Sequence, residues 1–311
     1  MARLNGKVGW LGLGVLLTFA VALQAQTFSS VETLPEPEEI PPSLSVEDLP
    51  PGEEFIVGPP PVTFAPAFVP EPVPPTFYRV GVRQYLGETI GLDEPFTVIE
   101  GAFGKRSPSR NEAFFGEVRA LFDYEAAPGA NIGAVWRRYH PSTDRIFGLN
   151  VWYDHRDQSG FQFAEWGVGC EFLGPTIDVR INAYLPIGTR LVDYNGITLG
   201  SMEGIEIEGG RHFDYFENLD TAAYFGAYHF QGDELERVTG VRARAEVCFN
   251  ERFTGMVSFQ HDDVYKNTLL FGVKAQFPTV TSRRFDARSR GLRDRLGEAV
   301  ERYQHIIVQQ R

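Results

Sequence analysis

The chain has 311 residues, 23% of them charged, and a formal net charge of -12. This composition suits a globular or β-rich protein. It excludes a bundle of helical membrane spans, each of which needs about 20 consecutive apolar residues.

The only long apolar run opens the chain, in "KVGWLGLGVLLTFAVALQAQ". Arg3 and Lys7 form a basic lead, Val8 to Ala20 an apolar core, and Ala20-Val21-Ala22 or the following Ala25 a small-residue cleavage site. Residues 1–25 are therefore expected to be a secretory signal that takes the mature chain out of the cytoplasm. The alternative is an uncleaved N-terminal anchor. Residues 26–76 come next and hold fourteen of the 21 prolines and nine acidic residues, with no Lys or Arg. Proline removes ladder donors and clustered acids repel, so this stretch is expected to be an extended, disordered linker. It carries -9 of the -12 net charge, so the acidity describes a tail and says little about the folded part.

From Thr76 onward the pattern changes to alternation with period two. Twelve runs are read as strands: 77–86, 94–104, 111–124, 130–140, 145–156, 162–173, 175–186, 202–210, 221–231, 237–250, 252–262 and 266–278. The second and eighth alternate least cleanly, and 187–201 is the longest gap. In "IFGLNVWYDH", Phe147, Leu149, Val151 and Tyr153 share one face, while Ile146, Gly148, Asn150, Trp152 and Asp154 share the other. The same sorting recurs: Ile177, Val179, Ile181, Ala183 and Leu185 oppose Asp178, Arg180, Asn182 and Tyr184, and Val241, Ala243 and Ala245 oppose Arg242, Arg244 and Glu246.

Charge is almost absent from the apolar faces. A soluble sandwich, the alternative, mixes edge and doubly buried strands and breaks such parity. A membrane barrel keeps it, because every strand faces lipid on one side, where an Arg or Lys costs about 2–4 kcal/mol at the midplane. The runs also have the roughly 9–11 residues a tilted strand needs to cross a bilayer. The expected fold is an all-β, transmembrane antiparallel barrel of about 12 strands over 77–280, its even strand count leaving no open edge. Tyr78, Tyr85, Tyr124, Tyr139, Tyr153, Tyr184, Phe230 and Phe277 near strand ends are expected to form an interfacial girdle. Arg79, Arg83, Glu117, Arg119, Arg137, Asp154, Glu171, Arg180, Arg242, Arg244 and Glu246 are expected on the inner wall, where their mixed signs suggest salt bridges across a lumen.

The stretch "NIGAVWRRYHPSTDRIFGLNVWYDHRDQSG", followed by "AEWGVGCEFLGPTIDVRINAYLP", resembles the inverse autotransporter β-domain of the intimin/invasin family. A strand with alternating Gly and an Arg is matched by Gly133 and Arg137. A Gly-x-Asn-x-aromatic-x-Asp strand is matched by Gly148, Asn150, Trp152 and Asp154. A Gly-x-Gly-x-Glu strand is matched by Gly167, Gly169 and Glu171, and an Asn-x-Tyr strand by Asn182 and Tyr184. The resemblance makes these lumen-facing family positions, and it extends to about 77–311. "RSRGLRDRLGEAVERYQHIIVQQR" resembles the family's segment that returns through the pore. Its Leu292, Leu296, Ala299, Val300, Tyr303 and Ile307 follow helical spacing among Arg293, Arg295, Glu298, Glu301 and Arg302. Residues 281–311 are thus expected to be a short C-terminal helix or linker in or near the pore, the alternative being a periplasmic amphipathic helix. "LLFGVKAQF", with Gly272, Ala275 and Phe277, resembles the last-strand signal read by the barrel-assembly machinery.

The family resemblance implies a barrel that anchors, and helps export, a passenger placed C-terminal to it. The sequence departs from that pattern: it ends at Arg311, where immunoglobulin-like passenger domains would begin, and it shows no lysin-motif-like module before the barrel. An adhesin role is therefore not carried over.

No chemistry competes strongly with this reading. Ser258 and His261 lie on opposite faces, and Asp154-His155-Arg156 and His261-Asp262-Asp263 read as polar strand ends rather than catalytic groups. The histidines lack ligand spacing. Cys170 and Cys248 fall on opposite faces by parity, which disfavours a disulfide. No catalytic, cofactor-binding or metal-ligating set is expected. The expected partners are outer-membrane lipid and the assembly machinery, with no nucleic acid. The leading reading is a non-enzymatic outer-membrane anchor or export barrel, its linker 26–76 in the periplasm. The alternative is a small passive pore, and a soluble exported sandwich that binds a ligand is a third. A barrel taken from an outer-membrane fraction should show heat-modifiable gel mobility; a soluble protein without that shift would remove the barrel reading.

Overall fold

Each of the twelve period-two runs forms a strand of one wall. The computed structural model describes residues 76–124, 127–194, 196–213, 219–250, 252–277 and 292–311. The expected signal at 1–25, the linker up to residue 75 and the connection 278–291 lie outside the described residues.

The wall strands are β1 (Thr76–Gly87), β2 (Phe96–Arg106), β3 (Glu112–Asp123), β4 (Pro128–His140), β5 (Arg145–Gln158), β6 (Phe161–Leu173), β7 (Ile177–Ile187), β10 (Glu203–Phe213), β11 (Asp220–Gln231), β12 (Val238–Cys248), β13 (Phe253–Asp262) and β14 (Lys266–Phe277). Each runs antiparallel to its neighbours, and β1 pairs with β14 from Val80↔Phe277 to Gly87↔Leu270, closing the barrel. Closure pairs the backbone groups of every wall strand on both sides, the condition for crossing hydrocarbon. The two less regular runs, 94–104 and 202–210, are full wall strands. Gly101 and Gly104 in one, and Gly209 and Gly210 in the other, blur their alternation.

Between β7 and β10 the chain leaves the wall as β8 (Leu191–Tyr194) and β9 (Ile197–Ser201). This hairpin fills the gap expected at 187–201 and pairs with β15 (Val308–Gln310) in a three-stranded sheet. Because the strand number is even, β1 begins and β14 ends at the same rim. We call it the near rim; β8, β9 and β15 stand at the far rim.

The faces are inverted relative to a soluble protein. Leu149 (46% exposed), Val168 (44%) and Phe271 (52%) point outward, whereas Arg79, Glu117 and Asp154 are at most 1% exposed inside the barrel. The expected aromatic girdle is only partly outward. Tyr78, Tyr124 and Phe277 are exposed, and Tyr153 packs edge-on against the outward Trp166. Tyr85, Tyr139, Tyr184 and Phe230 lie on the inner face instead. Their parity is that of Arg83, Arg137, Asn182 and Tyr228, and their rings pack inside the lumen. Cys170 and Cys248 form no disulfide with each other and lie one on each face.

The C-terminal segment occupies the lumen, but not as the helix its spacing suggested. Leu292–Gly297 makes a short 3₁₀ helix of about two turns, and the chain then continues without regular structure to β15. Leu292, Leu296, Ala299, Val300, Tyr303 and Ile307 are buried, and so are the charged Arg295 and Arg302. The wall surrounds the segment, so an amphipathic stripe has no wet side to oppose. Wall donors also take carbonyls that a helix would keep for itself.

Lipid exposure of β6 gives a direct check. Val168→Arg places a cation at mid-strand on the outer face and should cost about 2–4 kcal/mol in urea unfolding from vesicles, while Val168→Leu should be near neutral.

Candidate functional site

The lumen is built on rows of glycine and large side chains set opposite one another across strands. Gly133, Trp152, Gly167 and Tyr184 are direct neighbours on β4, β5, β6 and β7. A Cβ on Gly133 would stand 2.5 Å from the Trp152 ring, so the indole lies flat over that position. A Cβ on Gly167 would stand 2.5 Å from Arg302 Nη2. Glycine on both flanks thus leaves a shallow aromatic floor, and the Arg302 guanidinium rests on it, 5.2 Å from the Trp152 centroid and 5.0 Å from that of Tyr184.

The other motif glycines act as gaps that neighbouring side chains bridge. Gly148 lies between Arg137 and Glu171 in register, and these meet across it at 2.8 Å. Gly169 lies between Asn150 and Asn182 and leaves room for both amides. Asn150 Oδ1 accepts from Trp152 Nε1 at 2.9 Å and fixes the indole, while Asn182 Nδ2 and the Tyr184 hydroxyl donate to Glu206 at 2.9 and 2.7 Å. The ten motif positions therefore form one contiguous patch of inner wall.

Asp154 completes the floor. It accepts both Arg302 Nη groups, at 2.8 and 2.6 Å, and Asn131 Nδ2 at 2.6 Å. Two further charged residues of the segment find wall partners: Arg295 reaches Asp178 at 2.9 and 2.7 Å, and Glu301 reaches Arg83 at 2.9 Å. The remaining inner charges pair within the wall: Arg79 and Arg119 on Glu117, Arg242 on Glu206 and Arg244 on Glu208 and Glu246. A buried charge is tolerated when a partner of opposite sign and hydrogen bonds replace its water, and these pairs supply the partners of opposite sign.

At the far rim the segment is sealed in. Ile90, on the β1–β2 loop, packs with Tyr228, Phe230, Tyr303 and Ile307. Gly91 adopts φ +69°, and a Cβ there would stand 3.1 Å from Val308 N, so the loop lies directly on the segment. Thr198 and Arg311 exchange backbone hydrogen bonds of 2.9 and 2.8 Å just past β15. On the opposite side the packing is looser: a cavity of about 190 Å³ separates the segment from β11–β14, lined by Arg180, Tyr224, Glu246, Met256 and Lys274.

The polar strand ends have structural roles. Asp262 accepts from Tyr228 at 2.8 Å and caps the β13–β14 turn through the Val264 and Tyr265 amides. Arg156 donates to the carbonyls of Gly91 and Ile306. Ser258 is buried inside while His261 is exposed. The motif pattern did not single out Glu165, Asp178 or Arg156. Glu165 shares the parity of Gly167, Gly169 and Glu171, a signal of inner placement, and its Oε1 lies 3.9 Å from Arg302.

An apolar outside, a paired-charge inside and a closed twelve-strand wall define a transmembrane barrel of the outer-membrane type. Residues 103–229, from β2 to β11, match the inverse autotransporter β-domain, and all ten motif positions fall within that span. The protein is a β-barrel of the outer-membrane type in which residues 103–229 are similar to the inverse autotransporter β-domain. A solved membrane-protein structure described as "Unveiling the Mechanism Behind the in-meso Crystallization of Membrane Proteins" aligns with 75% of this chain and 99% of its own, at 15% identity and a TM-score of 0.62. An outer membrane channel from Pseudomonas putida F1 aligns with 69% of this chain and 99% of its own, at 12% identity and a TM-score of 0.41. KdgM porin aligns with 63% and 98%, at 8% identity and a TM-score of 0.40. Of these, only the first overlap is close enough to establish a shared fold. No curated protein matches the chain.

Removing Arg302 from its floor tests the site. Arg302→Met leaves Asp154 and Glu165 facing each other without their cation, and breaking a buried pair from one side costs roughly 3–5 kcal/mol. Urea titration of the full chain should show a loss of that order. Arg138→Met, at an exposed ion pair with Glu112, should change stability by less than about 1 kcal/mol.

Proposed function

We propose that the protein is a non-enzymatic anchor and export barrel of the outer membrane, whose own C-terminal segment stands in the pore as the end state of passage toward the far rim. One observation carries this reading: residues 292–311 run from the near rim to the far rim and end there as a strand paired to β9. A pore built only to pass solutes has no use for a segment of its own chain clamped along its length, so the occupied lumen favours the anchor over the passive pore. Asp154, Glu117, Glu171 and Glu208 are each engaged by lumen arginines, which supports a role without catalysis.

In this reading residues 1–25 are a cleaved signal and 26–76 a periplasmic linker, so the near rim faces the periplasm. Outer-membrane lipid covers the apolar faces. The assembly machinery engages the last wall strand, in which Gly272, Ala275 and Phe277 stand. Cargo attached C-terminal to the segment would leave the pore at the far rim.

An epitope fused after Arg311 should be labelled by antibody on intact cells. Labelling only after the outer membrane is permeabilised would remove the export reading. Deleting 285–311 should raise single-channel conductance several-fold, since the wall alone leaves a lumen.

A further inference from the structure

The contacts that hold residues 292–311 in the barrel fall into two chemical classes. The first reads sequence: Arg295 on Asp178, Glu301 on Arg83 and Arg302 on Asp154. The second reads only the peptide backbone. Arg137 Nη1 donates to the carbonyls of Arg295 at 3.2 Å and Glu298 at 2.7 Å. Arg79 Nη1 donates to Gly297 O at 2.6 Å, Arg119 Nη2 to Val300 O at 2.5 Å, and Arg156 Nη1 to Ile306 O at 2.9 Å.

These four guanidiniums are at most 3% exposed. Three are held from behind by wall carboxylates: Arg79 and Arg119 by Glu117, and Arg137 by Glu171. A guanidinium pinned in this way by one edge still presents N–H groups on its other edge, which a lysine ammonium cannot do with the same planar geometry. The four come from β1, β3, β4 and β5, a single arc of wall. Arg79 and Arg137 lie three residues from the near-rim ends of β1 and β4, Arg119 lies within β3, and Arg156 two residues from the far-rim end of β5. The carbonyls they take, at 295–298, 300 and 306, follow the same order from near rim to far rim.

A carbonyl is available at every residue of any polypeptide. We infer that Arg79, Arg119, Arg137 and Arg156 form a sequence-tolerant track for a polypeptide backbone, along which a chain being exported passes from one carbonyl to the next. The track needs the chain to be non-helical, as this segment is after Gly297, because a helix would spend its carbonyls internally. Transit ends when the sequence-specific contacts arrive. Glu301 and Arg302 are adjacent and of opposite sign, and they find Arg83 and Lys274 on one side of the lumen and Asp154 and Glu165 on the other. This inference rests on the export reading above and adds which groups handle the moving chain.

The test uses the full chain carrying a C-terminal epitope, with Arg79, Arg119 and Arg137 all changed to Lys. Lysine keeps the charge facing Glu117 and Glu171 but loses the second row of donors. Heat-modifiable mobility reports whether the barrel is built. In pulse-chase labelling, the triple variant should bring the epitope to the cell surface about tenfold more slowly, as expected for loss of charge-assisted hydrogen bonds along the path. Arg138→Lys, a change at an exposed arginine paired with Glu112 and away from the segment, should arrive at the wild-type rate. A folded triple variant that arrives at the wild-type rate overturns the track. Should the triple variant fail to fold, Arg79→Lys and Arg119→Lys singly should each slow arrival, and wild-type rates in both overturn it equally.

Purified full chain separates this outcome from the export reading. If the wild-type epitope never reaches the surface, export fails, yet the triple variant should still lose protease protection of residues 292–307 about tenfold faster than wild type. Unchanged protection would overturn backbone holding by the arginines on its own.

Discussion

Arg302 meets Asp154 through contacts of 2.8 and 2.6 Å in a space closed to bulk water, with Glu165 close by and an indole beneath. Neither partner could be buried alone, because an isolated ion inside the wall would forfeit its hydration with nothing in return. The wall therefore requires the segment and the segment requires the wall. Arg295 on Asp178 and Glu301 on Arg83 add to the match, joining the wall pairs that Asp178 makes with Arg180 and Arg83 with Glu100. A barrel with an apolar outside has nowhere else to hold such residues. Its interior is the one place where charge can specify which chain belongs there and in which register.

Glycine makes that interior possible. In most sheets a mid-strand glycine weakens the strand, because it adds backbone entropy and removes a packing surface. Here the missing side chain is the useful part. Arg137 and Glu171 sit two strands apart and meet only because Gly148 leaves the ground between them clear. Trp152 lies flat because Gly133 does not push it up, and Arg302 settles beside it because Gly167 leaves room. The spacing shared with the inverse autotransporter β-domain is thus a pattern of gaps as much as of functional groups.

How far the sequence revealed this differs from element to element, for physical reasons. The wall was legible because lipid enforces one rule on every strand, and even the irregular 94–104 and 202–210 obey it on their outer faces. Tyr85, Tyr139 and Phe230 depart from the expected girdle because parity, more than proximity to a strand end, decides which side a side chain takes; Tyr184 takes the inner side that its motif implies. The segment 292–311 was legible as a pore occupant but not in its conformation. Helical spacing implies one dry face and one wet one, and inside this barrel the charged Arg295 and Arg302 are buried along with the apolar stripe. The hairpin β8–β9 and its partner β15 left almost no local signal: these strands have three to five residues, and β15 finds β9 across more than a hundred positions, so it is defined by where the chain arrives and not by what it is made of.

The pairing of β15 with β9 has a mechanical consequence. The two strands are antiparallel, in register from Val308↔Ser201 to Gln310↔Leu199, and Thr198 and Arg311 extend the ladder by one more rung. A pull on the C-terminal end along the strand direction would strain these bonds in shear, so they would have to fail together and not one after another. Deeper in the barrel, Arg302 and Arg295 would resist the same pull through ion pairs on β5 and β7. Tension applied at the far rim would be passed to the whole circumference of the barrel, and from there to the membrane that grips it.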